Sequence, residues 1–202
     1  MRRFADADVL AGWIAERLGP EIVTGLPLGI GKATHVANAL FARAKADPSL
    51  RLEILTALTL ERPRASSDLQ ARMLKPFVKR VFEGYVELDY AEALRCDGLP
   101  DNVHVSEFFV NSGKWLSNTA VQQHYTSVNY TSVAPDIILR RPINLLAQLI
   151  AVDESGPQPR YSLSSNPDIT LDVLPELKAR REAKAKFLFV GQVNRDLPFM
   201  PG

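Results

Sequence analysis

The sequence predicts an α/β protein, with a largely parallel sheet and flanking helices in one domain over residues 1–202. Three observations support this fold class. Segments with helical spacing of apolar residues alternate along the chain with short apolar segments of strand length. The last of these, 187–193, is an almost continuous apolar run, as expected of a strand buried on both faces of a parallel sheet. The chain has 202 residues, 46% hydrophobic and 23% charged, which is enough for one full core.

The first half of the chain alternates between helix and strand patterns. Apolar residues on one helical face predict a helix at 6–18, and a Gly-Pro break separates it from a short strand at 21–24. A glycine-containing loop leads to a second helix at 33–46, which an Asp-Pro pair ends. An apolar strand follows at 52–58. A third helix is predicted at 66–83, with a Ser-Asp pair for its N-cap and a proline kink inside it.

Strands dominate the second half of the chain. Polar and apolar residues alternate over 102–110, which predicts a strand, and the apolar run 144–152 predicts another. A Ser-Gly-Pro turn then leads to a short strand at 161–164. Helical spacing over 170–184 predicts the helix that precedes the final strand at 187–193.

Composition and charge argue against several classes of function. The formal net charge is +1, whereas nucleic-acid binding needs a strongly basic surface, so no nucleic-acid partner is expected. No signal peptide, membrane span or membrane partner is predicted, and the single cysteine fits a reducing cytoplasm. The three histidines lack metal-ligand spacing, so no metal is expected. Basic residues cluster at 75–80 and 178–186, where interleaved apolar residues favour solvated helix faces.

The loop at 25–32 is the first candidate site. It follows a predicted strand and opens a predicted helix, where backbone N–H groups can bind a phosphate or a carboxylate. A Walker A loop would need glycine at Leu26 and a hydroxyl residue at Ala33, and a dinucleotide fingerprint would need glycine at Thr34. Two interpretations therefore stay open: a tight strand-to-helix turn, and a contact with an anion such as CoA.

Two polar clusters, 125–132 and 161–168, also lie beside apolar strands. Their hydroxyl and amide side chains are of the kind that orients a substrate, but the same residues form turns and helix caps. Both interpretations remain open from the residues alone.

The order of these segments resembles the acetyl-CoA hydrolase/transferase family. The resemblance rests on SLSSNPDIT (162–170), a helix, and then FVGQVNRDLP (189–198), and it extends to GLPLGIGKATHVANALFARA (25–44) and PINLLAQLIAV (142–152). It implies the CoA-transferase fold and the first of two similar α/β halves. In that family a glutamate of the second half attacks the acyl-CoA thioester, and CoA passes between carboxylates through a glutamyl-CoA thioester.

The resemblance also implies ligands and partners for this chain. Coenzyme A would be substrate and product, acyl-CoA and small carboxylates the ligands, and a C-terminal half or partner domain would supply the catalytic glutamate. No catalytic residue is assigned to this chain, which alone would be inactive, and self-association is expected where apolar surface lacks its cover. The residues predicted to contact the CoA ester are Gly29, Gly31, Lys32, Asn129, Tyr130, Thr131, Ser165, Asn166 and Asn194.

Two other functions compete with this prediction. A stand-alone module that binds CoA esters or another small ligand without catalysis would use the same loops. A sugar-phosphate isomerase would share the kind of sheet, but it would need a self-contained acid and base near the loop at 25–32, and the sequence offers no convincing pair.

Overall fold

A computed structural model describes residues 1–96, 98–135 and 140–201. The α-helices assigned in this part of the chain are α1 (Ala7–Leu18), α2 (Thr34–Ala46), α3 (Asp68–Val81), α4 (Asp89–Arg95), α5 (Thr119–His124) and α6 (Thr170–Glu182). The strands are β1 (Glu21–Gly25), β2 (Arg51–Thr56), β3 (Val103–Glu107), β4 (Leu145–Asp153), β5 (Arg160–Ser162) and β6 (Leu188–Val193). Short 3-10 turns lie at Gly29–Gly31 and Tyr130–Ser132.

The six strands form one mostly parallel sheet, which confirms the predicted α/β fold class. Five parallel strands lie in the order β3-β2-β1-β4-β6, and β5 pairs antiparallel with the end of β4. In the register of the first three strands, Ile22 lies beside Leu52, which lies beside Val103.

Two apolar layers cover the sheet, one on each face. Successive residues of β4 point to opposite faces, and Leu145 and Leu146 accordingly belong to different buried clusters. The first cluster packs α1, α2 and α4 against the sheet and includes Ile14 and Leu40. The second cluster packs α6 against the other face and includes Leu177. The sheet is therefore sandwiched between helices, as parallel sheets require.

The final strand differs from the prediction in its burial. Residues 187–193 do form a strand, but β6 is paired in the described chain with β4 alone, which places it at an edge of the sheet. Val190 is buried, whereas Phe189 and Val193 are 40% and 41% exposed. The prediction of a strand covered on both faces is therefore wrong for these two side chains.

The helices α3 and α5 differ in how well the sequence predicts them. The N-cap of α3 is Ser67, whose side chain accepts a hydrogen bond from the Gln70 N–H, and α3 continues through Pro76. α5 was not predicted, because six residues carry too little periodicity to identify a helix. Within the described ranges, every helix is too short or too polar to cross a membrane.

Candidate functional site

The loop after β1 turns the side chain of Lys32 into the protein. The residue is 1% exposed, and its Nζ donates hydrogen bonds to the carbonyl oxygens of Pro27 at 2.8 Å and Ala57 at 2.6 Å. A third, longer bond of 3.4 Å reaches the Leu58 carbonyl. Lys32 therefore joins the loops that follow β1 and β2. Its Nζ does not face solvent, so the predicted direct contact of Lys32 with the CoA ester does not fit this conformation.

A chain of buried polar groups lies close to Lys32. Thr59 donates its only hydroxyl proton to the Glu107 carboxylate, so the Tyr90 hydroxyl, 2.9 Å from Thr59 Oγ1, is the donor in that contact. Burial lowers the pKa of Lys32 to about 7, although the charges of Glu107 and Asp168 oppose this shift. Burial also raises the pKa of Glu107, against the Thr59 hydrogen bond and the charge of Lys32. Thr59, Tyr90 and Glu107 therefore form a fixed, buried polar network near Lys32.

Asp168 ties three loops together at the carboxyl edge of the sheet. Its Oδ2 accepts a hydrogen bond from the Leu28 N–H at 2.8 Å, and its Oδ1 accepts one from the Tyr130 hydroxyl. Burial, followed by this bond and by the carboxylate charge, raises the pKa of Tyr130. Asp168 holds a backbone φ of +49°, a strained conformation of the kind found at binding sites. We call residues 28–31, 129–131 and 164–168 the loop cluster.

Gly31 and Asn166 lie in close contact inside the loop cluster. A Cβ atom at Gly31 would stand 2.2 Å from Asn166 Nδ2, so the approach requires glycine. The Asn166 carbonyl accepts a hydrogen bond from the buried Gln148 side chain at 2.8 Å, and Gln148 accepts one from the Thr170 hydroxyl at 2.6 Å. A network from the centre of the sheet therefore fixes the position of Asn166.

The N-terminus of α2, a predicted candidate for anion binding, is already capped. The N–H groups of His35 and Val36 donate to Gln192 Oε1 at 3.0 and 3.4 Å. Gln192 lies on β6, so the last strand supplies the cap across the sheet. An anion at this helix end would have to displace that amide.

The tail after β6 folds over the serine-rich turn. Ser164 donates a hydrogen bond to the Pro198 carbonyl at 2.9 Å, and the Met200 N–H donates to the Ser162 hydroxyl at 3.1 Å. Asn194 uses its side chain locally, since its Oδ1 accepts from the Asp196 N–H at 2.9 Å. The side chain of Asn194 therefore shapes its own turn.

The structure brings some of the predicted contact residues together. Gly31, Asn166 and Tyr130 meet through Leu28 and Asp168. Gly29 has a φ of +60° and open space around its Cβ position. Three other predicted residues are exposed on the loop cluster: Asn129, Thr131 and Ser165.

Sequence reasoning did not select four residues that organise this site, namely Asp168, Gln148, Gln192 and Glu107. Their partners lie far away along the chain; Leu28 and Asp168, for example, are 140 positions apart. One signal in the sequence points to Asp168: it belongs to the polar cluster at 161–168, which was a candidate site.

A separate polar depression lies on the sheet face away from α2. It has a volume of about 230 Å³ and is lined by residues that include Glu53, His104, His124 and Arg141. The two imidazole rings are 5.6 Å apart, and Arg141 forms an ion pair with Glu53 at 3.0 Å. The residues that line the depression lie outside the loop cluster.

Comparison with known structures identifies proteins of the same fold. RipA from Yersinia pestis has a TM-score of 0.54 and 14% sequence identity, over 96% of this chain and 37% of RipA. A RipA variant has a TM-score of 0.56 and 14% identity, over 98% of this chain and 37% of that one. At such identity the similarity shows the fold alone. This chain spans about 37% of the length of RipA. No family model and no curated protein matches the sequence.

Proposed function

We propose that this chain is the N-terminal domain of an acyl-CoA hydrolase or CoA-transferase, and that the loop cluster binds part of a CoA ester. The observation that carries this proposal is the convergence at Asp168 of three segments that the family resemblance had selected separately. They meet beyond the carboxyl ends of parallel strands, where open α/β sheets bind their ligands. The fold shared with RipA over 98% of this chain is compatible with the proposal.

The chemistry of the loop cluster suits binding and orientation. Among its exposed side chains, those of Asn129, Thr131 and Ser165 are neutral hydrogen-bonding groups that can hold a phosphate or a carbonyl. Lys32 would contribute indirectly, because its Nζ fixes the positions of the loop carbonyls. Polar groups held in place in this way orient a ligand without reorganisation.

We assign no catalytic residue to this chain. In the family that it resembles, the attacking glutamate lies in the second half. Glu107 is 7% exposed and is held by Thr59, so no substrate carbonyl reaches it in this conformation. We therefore expect no acyl-CoA turnover from this chain alone. We also propose a cytoplasmic location, where a reducing environment keeps the exposed Cys96 thiol free.

Calorimetric titration of the purified chain with CoA and acetyl-CoA tests the proposal. We expect both ligands to bind and acetyl-CoA to remain intact in a thioesterase assay. Gly31→Ala should weaken binding by ~10-fold or more, because its Cβ displaces Asn166. The matched control is Gly156→Ala, whose Cβ would meet one backbone oxygen at 3.8 Å.

The other outcomes separate the competing functions. Binding of sugar phosphates in place of CoA esters would support the isomerase. Binding of acetyl-CoA that Gly31→Ala leaves unchanged would place the site elsewhere. Robust turnover would contradict the assignment of catalysis to a second half.

A further inference from the structure

The polar depression interrupts the apolar pattern of the sheet. On the face towards α2, strands β2 and β3 carry four buried apolar side chains, those of Leu52, Ile54, Val103 and Val105. On the opposite face, the same stretch of the two strands carries Glu53, His104 and Ser106. A parallel sheet is normally apolar on both faces. Polar residues at such positions are the local departures that functional sites produce.

The walls of the depression are held in place by the backbone. α5, which ends at His124, is joined to β3 because the Thr126 N–H donates to the Glu107 carbonyl at 3.0 Å. Arg141 precedes β4, and its own carbonyl accepts a hydrogen bond from Arg180 of α6 at 3.2 Å. The side chains therefore project from two strands and two anchored segments. A ligand would meet preorganised groups, which lowers the entropic cost of binding.

Hydrogen-bond donors lie on both sides of Glu53. In the sheet order β3-β2-β1-β4, His104 of β3 lies beside Glu53 of β2 in register. Arg141 approaches from the β4 side, and its Nη1 donates to Glu53 Oε1 at 3.0 Å. His124 extends the row past His104 at the outer side of β3, with 5.6 Å between the two ring centroids. One carboxylate thus stands between a guanidinium and a pair of imidazoles.

Most of the lining side chains have unused hydrogen-bonding groups. In the described part of the chain, Glu53 is the one hydrogen-bond partner of the Arg141 guanidinium, which has five N–H donors. Five other lining side chains form no hydrogen bond with any described residue, namely His104, Ser106, Gln123, His124 and Thr126. Each can donate at least one hydrogen bond in its neutral form. The depression therefore suits a ligand rich in acceptor atoms.

Size and charge narrow the class of ligand. The volume of about 230 Å³ is below the ~300–1,000 Å³ of pockets for drug-sized ligands, so the ligand is small. A carboxylate matches the planar fork of a guanidinium. Donors at both ends of the row favour a ligand with an anionic group at each end. Glu53 would repel a negative charge between them, but it accepts a hydrogen bond from a neutral hydroxyl.

We propose that the polar depression binds a small hydroxylated dicarboxylate. One carboxylate lies on Arg141, the other lies on the imidazoles of His104 and His124, and a hydroxyl between them donates to Glu53. The site is independent of the proposed CoA ester, because its residues lie outside the loop cluster. The two ligands are titrated separately, so either proposal can fail without the other.

A single compact oxyanion such as phosphate is the main competitor. It would occupy the donors at one end of the row and leave those at the other end unused. In the middle of the row its charge would lie against Glu53. The dicarboxylate uses both ends and places a neutral group at the centre.

Calorimetric titration of the purified chain with malate tests the proposal. Malate should bind saturably. Succinate, which lacks the hydroxyl, should bind at least ~5-fold more weakly, because the hydrogen bond to a charged carboxylate is lost. Acetate and inorganic phosphate, which reach one end of the row alone, should bind at least ~10-fold more weakly than malate.

Substitutions at the two ends of the row locate the site. Arg141→Gln and His124→Asn should each weaken malate binding at least ~10-fold. The matched control is His35→Asn, which removes an exposed imidazole on α2 and should leave binding unchanged. Circular dichroism should show that all three variants keep the fold, since the three sites are exposed.

Four results would overturn the proposal. The first is the absence of saturable binding at millimolar malate, which would leave the depression an ordinary solvated surface. The second is malate binding that Arg141→Gln and His124→Asn leave unchanged. The third is equal affinity for succinate, which would remove the hydroxyl contact with Glu53. The fourth is phosphate or acetate binding as tight as that of malate, which would assign the depression to a single oxyanion.

Discussion

Replacement of Lys32 by methionine removes the buried amino group while keeping a long, flexible side chain. The wild-type Nζ donates to three backbone carbonyls, at 2.8, 2.6 and 3.4 Å, and none of these bonds survives in Lys32→Met. Because this leaves buried carbonyl acceptors without their donor, we expect a loss of about 3–5 kcal/mol in unfolding free energy.

The loss should depend on pH in a defined direction. The unfolded chain keeps the Lys32 proton up to the ordinary pKa of 10.5, whereas the folded protein releases it near pH 7. Between these values the unfolded state binds more protons, so the wild-type unfolding free energy rises with pH through this group. The rise is at most about 1.4 kcal/mol per pH unit, and Lys32→Met lacks it. The stability difference between the two proteins should therefore widen as the pH is raised from 7 towards 10.

Urea unfolding followed by circular dichroism, repeated across this pH range, measures both effects. The control is Lys178→Met on the exposed side of α6, which should match the wild type in stability and in pH slope. A loss below about 1 kcal/mol for Lys32→Met, with the pH slope unchanged, would refute the assigned role of Lys32.

Three further substitutions test the packing around the site by the same unfolding assay. Gln192→Ala removes the side-chain cap of α2 and should cost about 1 kcal/mol, whereas the exposed Gln123→Ala should cost nothing; equal values would argue against the cap. Asn102→Ala leaves two backbone carbonyls, now bonded at 2.8 and 2.7 Å, without their donor, and should cost about 2 kcal/mol. A neutral effect would mean that these bonds contribute little. Gly191→Ala puts a Cβ 2.2 Å from Ile150 Cδ1 and should cost about 1–3 kcal/mol, and adding Ile150→Val should recover part of it; absence of rescue would locate the strain elsewhere.

The helices and strands could largely be predicted because their signals are local. The helical spacing that predicted 6–18 and 33–46 reflects the buried faces of α1 and α2, which lie within one residue of those bounds. The burial of β6 could not be predicted in the same way. An apolar run is compatible with a central strand and with an edge strand, and only the pairing with β4 decides between them.

The site was harder to predict, because its contacts join distant segments. The loop at 25–32 was compatible with an anion contact and with a plain turn, and nothing in its spacing indicates that Lys32 faces inward. The basic cluster at 75–80 was interpreted as a solvated helix face. That interpretation fits the polar side of α3, but it does not account for the exposed apolar side chains of the same helix, those of Leu69, Met73, Phe77 and Val81.

Residue-resolved NMR titration of the chain with CoA tests the central proposal most directly. We predict shifts of backbone amide signals concentrated on the loop cluster, above all at Gly29, Thr131 and Ser165, with small changes near His104. Saturable shifts at these three residues that Gly31→Ala abolishes would agree with the proposal. Shifts concentrated around His104 and His124, or no shifts at all, would contradict it.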